Sequence, residues 1–214
     1  MCFYAEIPPS DKLLEKRYKA SLHTKRYYED NQVDIIFNGF TNPKMPIIMC
    51  DMPDKICLVR WGLIPTHISS LEQAKSIQTK TLNACIETVH EKMSYKNSQN
   101  LRCLVIVKAI IEPHQKPDKS RERYRIWLKD EDSFALGGIF SYWKSPENGK
   151  YIRTFSILTT VANEMMAKIH NTRKRMPVII SPDKYEEYLS GEKNILDYKT
   201  PFDENLMIAE KLSA

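Results

Sequence analysis

No Cys-x-x-Cys pair occurs among the five cysteines, which stand at positions 2, 50, 57, 85 and 103, and so scattered and odd-numbered a set argues against a disulfide framework or a zinc ribbon. The histidines at 23, 67, 90, 114 and 170 lack metal-ligand spacing, and no glycine-rich phosphate loop is present. Neither a metal nor a nucleotide cofactor is therefore expected. No uninterrupted apolar run reaches membrane-spanning length, and the opening MCFYAEIPPS lacks the basic start and apolar stretch of a signal peptide. These absences point to a soluble protein of the reducing cytoplasm with no membrane partner, and they set Cys2 close to the expected mature N-terminus. No Gly/Ser-rich or Pro-rich linker, internal repeat or low-complexity tract divides the chain, so one domain spanning 1–214 is expected.

What is present supports a globular core. Of 214 residues, 42% are hydrophobic, enough to bury a sizeable interior. Lys and Arg total 32 against 27 Asp and Glu, and the resulting formal charge of +5 leans mildly toward an anionic partner for what is expected to be a monomer. Ser10 is a candidate N-cap before Leu14, Tyr18 and Leu22, whose spacing predicts an amphipathic helix over 11–29. The segments 33–40, 45–50, 55–63, 102–111, 123–129, 133–140 and 151–162 are short, rich in β-branched residues and bounded by turn formers, and they read as strands. Ser181-Pro182-Asp183 starts a helix that Gly191 ends, and 204–212 reads as a last helical turn or two. The predicted class is α+β, a strand-rich, antiparallel and partly barrel-like core with peripheral helices.

Cys2 follows the initiator Met1. Once Met1 is removed, the cysteine has its amine and thiol on adjacent carbons, a 1,2-aminothiol able to condense with an aldehyde and close a five-membered thiazolidine. The two nucleophiles have ordinary pKa values of roughly 8 and about 8.5, so both are usable near neutrality. Three further segments concentrate titratable or amide groups beside apolar sequence: 81–88 with Asn83, 103–114 with Glu112, and 162–177 with His170. Taken singly, each has an ordinary structural reading. Asn83 would cap a turn, Glu112 would mark the solvated end of a strand, and His170 would be a satisfied structural histidine.

Together with Trp61–Pro65 (WGLIP), these segments resemble the SRAP family, the SOS response-associated peptidases. That family begins Met-Cys and then presents W-G-L/I-x-P, N-A-R-x-E-T, a strand ending in glutamate, an A-G-L/I-W-type strand and I-H-x-R-M-P. The counterparts, in the same order, are Cys2, Trp61–Pro65, Asn83–Thr88, Glu112, Gly137–Phe140, and His170 with Arg175, Met176 and Pro177. The resemblance implies recognition of abasic sites in single-stranded DNA and their capture as a covalent crosslink through Cys2. It also implies a self-processing peptidase step that releases Met1, a task an ordinary methionine aminopeptidase would also perform. By the same resemblance Glu112 activates Cys2, His170 assists sugar opening and imine formation while titrating near working pH, and Asn83 orients the sugar or the amine.

The departures fall on residues the family uses to hold DNA. Its M-C-G-R start is replaced by Phe3 and Tyr4, Cys85 replaces the arginine of N-A-R, Pro113 replaces an aromatic after the glutamate, and His67 stands where an aromatic wedge follows W-G-L-I-P. Each lost phosphate contact weakens binding and lowers its salt dependence by about one charge. Replacement contacts are expected from Tyr4, Trp61, Lys80, Lys108, Arg173, Lys174 and Arg175, with Lys75, Arg102 and Lys168 also close to the motifs. Two other readings stay open: a divergent relative that keeps Cys2 self-processing but has weak or no DNA binding and meets another aldehyde or another partner, and a noncatalytic single-stranded nucleic-acid binding or interaction domain.

Overall fold

The computed structural model describes residues 2–8, 11–23 and 36–213. The chain runs β1 (Tyr4–Glu6), α1 (Asp11–Tyr18), β2 (Ser21–Leu22), β3 (Ile36–Asn38), β4 (Lys44–Met49) and β5 (Met52–Trp61). It continues with α2 (Leu71–Gln78), β6 (Asn83–Cys85), β7 (Arg102–Val107), β8 (Ala109–Gln115), β9 (Arg121–Leu128), β10 (Phe134–Lys144) and β11 (Tyr151–Val161). Then follow α3 (Glu164–Ile169), β12 (Arg175–Pro177), β13 (Ile179–Ile180), α4 (Tyr185–Ser190) and β14 (Met207–Lys211).

Five strands close into a ring: β4 pairs with β5, β5 with β11, β11 with β10, β10 with β7, and β7 again with β4. The expected α+β class and partly barrel-like core are thus borne out. One joint of the ring is parallel. The β5–β11 seam consists of Arg60 opposite Thr154 and Trp61 opposite Phe155. The WGLIP segment builds this seam. Gly62 takes φ +104°, its N–H donates to the Phe155 carbonyl at 2.9 Å, and a Cβ there would come within 2.6 Å of the Gln78 carbonyl oxygen. Only glycine fits both conditions.

A second sheet, ordered β14-β9-β8-β1-β3, carries the amino-terminal strand. The run 102–111 was expected as one strand and is two. It breaks at Lys108, whose N–H donates to the Glu6 carbonyl at 2.7 Å, so β7 enters the ring and β8 enters the other sheet. Every residue of β7 is buried, as expected of a strand covered on both faces.

Three other expectations change. The described part of the first helix ends at Tyr18, and Lys19 leaves it in the left-handed region at φ +50°; Ser10 and residues 24–29 lie outside the described residues, as do 33–35 of the next segment. Residues 204–212 form one 3₁₀ turn and then β14, because pairing with β9 satisfies their backbone in place of a helix. The helices α2 and α3, capped by Ser70 and Asn163, carry no counterpart among the expected elements. The helix before Gly191 is present, with that residue at φ +77° in its C-terminal cap. Among the described residues, no helix is long and apolar enough to cross a membrane, and no group of three or more His, Cys, Asp or Glu side chains is placed to hold a metal ion.

Candidate active site

The register of β1 on β8 sets the site. Tyr4 lies opposite Ile111, so Cys2, two residues before Tyr4, and Glu112, one after Ile111, meet at the same end of the pair. Pro113 lies beyond the last β1 partner, where a strand tolerates a missing N–H more readily. Asn83 reaches the same place from the ring. It sits on β6, which pairs in parallel with β11, and its Nδ2 donates to the Cys2 carbonyl at 2.8 Å. The Asn83 backbone is held in turn, since Tyr95 Oη donates to its carbonyl at 3.0 Å and Trp61 Nε1 donates to the neighbouring Leu82 carbonyl at 2.8 Å. Asn83 Oδ1 is buried and has no hydrogen-bond partner among the described residues. It is an acceptor waiting for an N–H or O–H.

His170 ends α3, which is tied to β8 just past Glu112. Gln115 N–H donates to Asn171 Oδ1 at 3.1 Å, Asn171 Nδ2 donates to the Gln115 carbonyl at 2.8 Å, and the His114 ring reaches the Lys168 carbonyl at 3.0 Å. His170 Nδ1 lies 3.1 Å from the Arg175 carbonyl. A carbonyl only accepts, so Nδ1 carries the proton and, in the neutral ring, Nε2 does not.

All three titratable groups are out of water. Cys2 and Glu112 are fully buried and His170 is 4% exposed. Burial pushes Glu112 up to about 7, with the positive amino terminus pulling the other way. Burial pushes the Cys2 thiol well above its usual range, and the Glu112 charge adds to that. His170 is pushed down to about 4, by burial first and then by the amino terminus. The expectation that His170 titrates near working pH is therefore corrected: desolvation disfavours its cation, and it is neutral at pH 7. Glu112 is not a solvated strand end. It is a buried carboxyl with a pKa near neutrality, the property of a proton shuttle.

The expected DNA-contact residues divide into two groups. Lys80, Arg173 and Lys174 are exposed, as are Lys75 and Lys168. Tyr4 is half-buried with the Arg123 guanidinium 4.9 Å over its ring. Lys108 binds Glu6 at 3.1 Å, and Arg125 grips the same carboxylate at 2.6 and 3.0 Å. Arg175 makes a two-pronged pair with Glu87 at 2.8 and 3.1 Å, and Cys85 Sγ donates to Glu87 at 2.8 Å. Two expectations are overturned. Trp61 is fully buried, 6.3 Å from the Phe155 ring and nearly parallel to it, so it supports the seam and offers no face to a ligand. Arg102 is 3% exposed, and its guanidinium is spent on the Tyr188 and Lys193 carbonyls. Tyr95, which positions Asn83, lies in a polar stretch without periodicity, where no local signal marks it.

A closed five-strand ring thus carries an attached sheet that buries Cys2 beside Asn83 and Glu112, with His170 at the end of a helix tied to the same strand as Glu112. The chain belongs to the SRAP family, SOS response associated peptidase, whose match spans residues 1–213. It is 33% identical over 161 residues to the abasic site processing protein YoqW of Bacillus subtilis, covering 73% of this chain and 68% of that one. Similarity extends to the abasic site processing protein HMCES of Gallus gallus, 28% identical over 149 residues that cover 59% of this chain and 42% of the relative. Among solved structures, a protein from Bacteroides thetaiotaomicron superposes with a TM-score of 0.92 at 30% identity, over 99% of this chain and 92% of its own.

Proposed function

We propose that this chain, acting as one domain, processes abasic sites by crosslinking to them in single-stranded DNA through Cys2. The observation that carries the reading is the 2.8 Å bond from Asn83 Nδ2 to the Cys2 carbonyl, which fixes the amino-terminal cysteine beside the buried carboxyl of Glu112. The names of the curated relatives support the same substrate.

The first step is hydrolysis of the Met1–Cys2 peptide bond, with Glu112 accepting a proton and passing it to the leaving amine; an aminopeptidase serves equally well. The freed Cys2 amine then attacks the aldehyde carbon of the open sugar, and water leaves to give a Schiff base. The thiol adds across the C=N bond: sulfur bonds to the former aldehyde carbon, the thiol proton goes to nitrogen, and the ring closes. One water is lost and nothing is oxidised or reduced. Burial keeps the Cys2 thiol protonated, so this closure needs a base. Glu112, whose pKa burial pushes up to about 7, and the unprotonated His170 Nε2 are the two candidates. Asn83 Oδ1 accepts from the amine or a sugar hydroxyl.

The test combines two measurements. Intact mass establishes whether Met1 is absent, and a single-stranded oligonucleotide with one abasic site is incubated with wild type, Cys2→Ser and Asn83→Ala. A heat-stable adduct in wild type, lost in Cys2→Ser and slowed about 10- to 100-fold in Asn83→Ala, is expected. Wild type lacking Met1 that forms no adduct sinks the reading.

A further inference from the structure

Glu87 is the one charged side chain of the 81–88 segment, and none of the proton transfers in the proposed reaction uses it. It stands in the 3₁₀ turn Ile86–Thr88 that follows β6, and its carboxylate collects three hydrogen bonds. Arg175 Nη1 donates to Oε1 at 3.1 Å, Arg175 Nη2 donates to Oε2 at 2.8 Å, and the Cys85 thiol donates to Oε2 at 2.8 Å. Burial alone would raise the Glu87 pKa, yet these bonds hold it below its usual range, so the pair with Arg175 is ionic at neutral pH. The same Nη2 also donates to the carbonyl of Thr159, on the strand β11 that β12 joins.

The backbone of Arg175 meets His170. Four residues separate the two, and the chain between them folds back tightly. The Lys174 N–H donates to the His170 carbonyl at 2.9 Å, the Lys174 carbonyl accepts from the Ala162 N–H at 3.0 Å, and Lys174 takes φ +49°. A residue with a side chain enters that left-handed region at a cost, so the turn is held by its surroundings. Arg175 leaves it in register with Val161, and its carbonyl accepts from His170 Nδ1 at 3.1 Å. The clamped guanidinium and this carbonyl belong to one residue. Fixing the side chain therefore limits where the carbonyl lies, and with it the plane and the tautomer of the imidazole.

We propose that Glu87 is a positioning residue: acting through Arg175, it fixes the His170 ring so that Nε2 stays unprotonated and in place as a base for closure of the Cys2 adduct. The inference rests on the crosslinking reading above. Arg175 has its charge matched by a carboxylate, and a guanidinium so matched has little left for a phosphate of the substrate. A two-pronged pair also fixes direction, which a single point contact does not. Cys85 supplies the third bond to Glu87 and so belongs to the clamp as a donor.

The test separates rate from binding. Adduct formation on a single-stranded abasic oligonucleotide is followed in single turnover across protein concentration for wild type, Glu87→Gln, Arg175→Lys and the double variant, each checked for an unchanged melting profile. Glu87→Gln should lower the saturating rate about tenfold and leave the half-saturating concentration within about twofold. Arg175→Lys keeps the charge but loses the fork, and it should show the same loss, with the double variant little worse than either single one. The ring is read directly, without DNA, by NMR of isotope-labelled histidine. The Nδ1–H form of His170 in wild type should give way to a mixture of tautomers in Glu87→Gln. Should Glu87→Gln not fold, Glu87→Asp, a methylene shorter, replaces it with the same expectations. An unchanged saturating rate in the variants overturns the clamp, as does an unchanged His170 tautomer. A raised half-saturating concentration with a lower salt slope also overturns it and assigns Arg175 to the substrate. Wild type that shows the Nδ1–H form but makes no adduct overturns the crosslinking reading instead, while the tautomer in the variants still decides the clamp.

Discussion

Glu112→Gln isolates the electrostatics of the site, because it keeps the shape of the side chain and removes its charge. In the folded protein the Glu112 pKa is raised from 4.5 to about 7, so between those values the native state holds a proton that the unfolded chain has released. Stability is therefore full below pH 4.5 and falls as pH rises toward 7. His170 works in the opposite sense. Its pKa is lowered from 6.5 to about 4, so the unfolded chain binds the extra proton, and stability is full above 6.5 and is lost as pH falls. Between about pH 5 and pH 7.5 the Glu112 term costs about 2.5 kcal/mol and the His170 term returns about 2 kcal/mol. From these two groups the wild type gains almost no pH dependence. Glu112→Gln removes one of them, so the difference in unfolding free energy between variant and wild type should rise by about 2.5 kcal/mol across that range. Groups common to both proteins cancel in the difference. Urea titrations at four pH values, analysed with a common slope, supply the measurement. A variant-minus-wild-type difference that stays constant with pH would show that Glu112 is ionised throughout, and its part as a proton shuttle would fail with it.

The other expected outcomes concern the scaffold. Trp61→Phe removes the donor to the Leu82 carbonyl while keeping a ring in the seam, and it should cost about 1 to 3 kcal/mol in chemical denaturation and slow adduct formation through Asn83. Glu6→Ala leaves Arg125 and Lys108 without their shared carboxylate and should cost about 3 kcal/mol, whereas Lys108→Gln alone should cost less than half of that. Gly138→Ala would set a Cβ 2.9 Å from Cys103 Sγ and 3.0 Å from the Ser156 carbonyl oxygen; overpacking of about 1 to 3 kcal/mol should show as a lower melting temperature. Tyr95→Phe loses the bond to the Asn83 carbonyl and should slow the crosslink more than it lowers stability, a comparison that adduct kinetics and melting resolve together.

The primary sequence offered Cys2, Asn83, Glu112 and His170 as candidates only together, through the order of short motifs shared with the SRAP family, since each taken singly has an ordinary structural reading. It also carried most strands, since β-branched runs bounded by Pro, Asn or Asp have few other conformations. It did not carry the break at Lys108. Residues 103–111 are apolar apart from Lys108, and the hydrogen bond from the Lys108 N–H to the Glu6 carbonyl, made across a long sequence gap, divides them between two sheets. For the same reason β14 reads as helix locally and becomes strand once β9 offers its edge.

Cys2 could be named from the sequence as a candidate nucleophile because the proposed chemistry depends on its position along the chain. What surrounds it is a property of the fold. Burial makes Glu112 a carboxyl that titrates near 7 and keeps His170 neutral, and these are consequences of desolvation that no local pattern encodes. The ring closure that removes Trp61 and Arg102 from any ligand is likewise decided in three dimensions. A tryptophan or an arginine looks equally available in sequence whether its polar atoms face water or, as here, backbone carbonyls from residues 21 to 91 positions away.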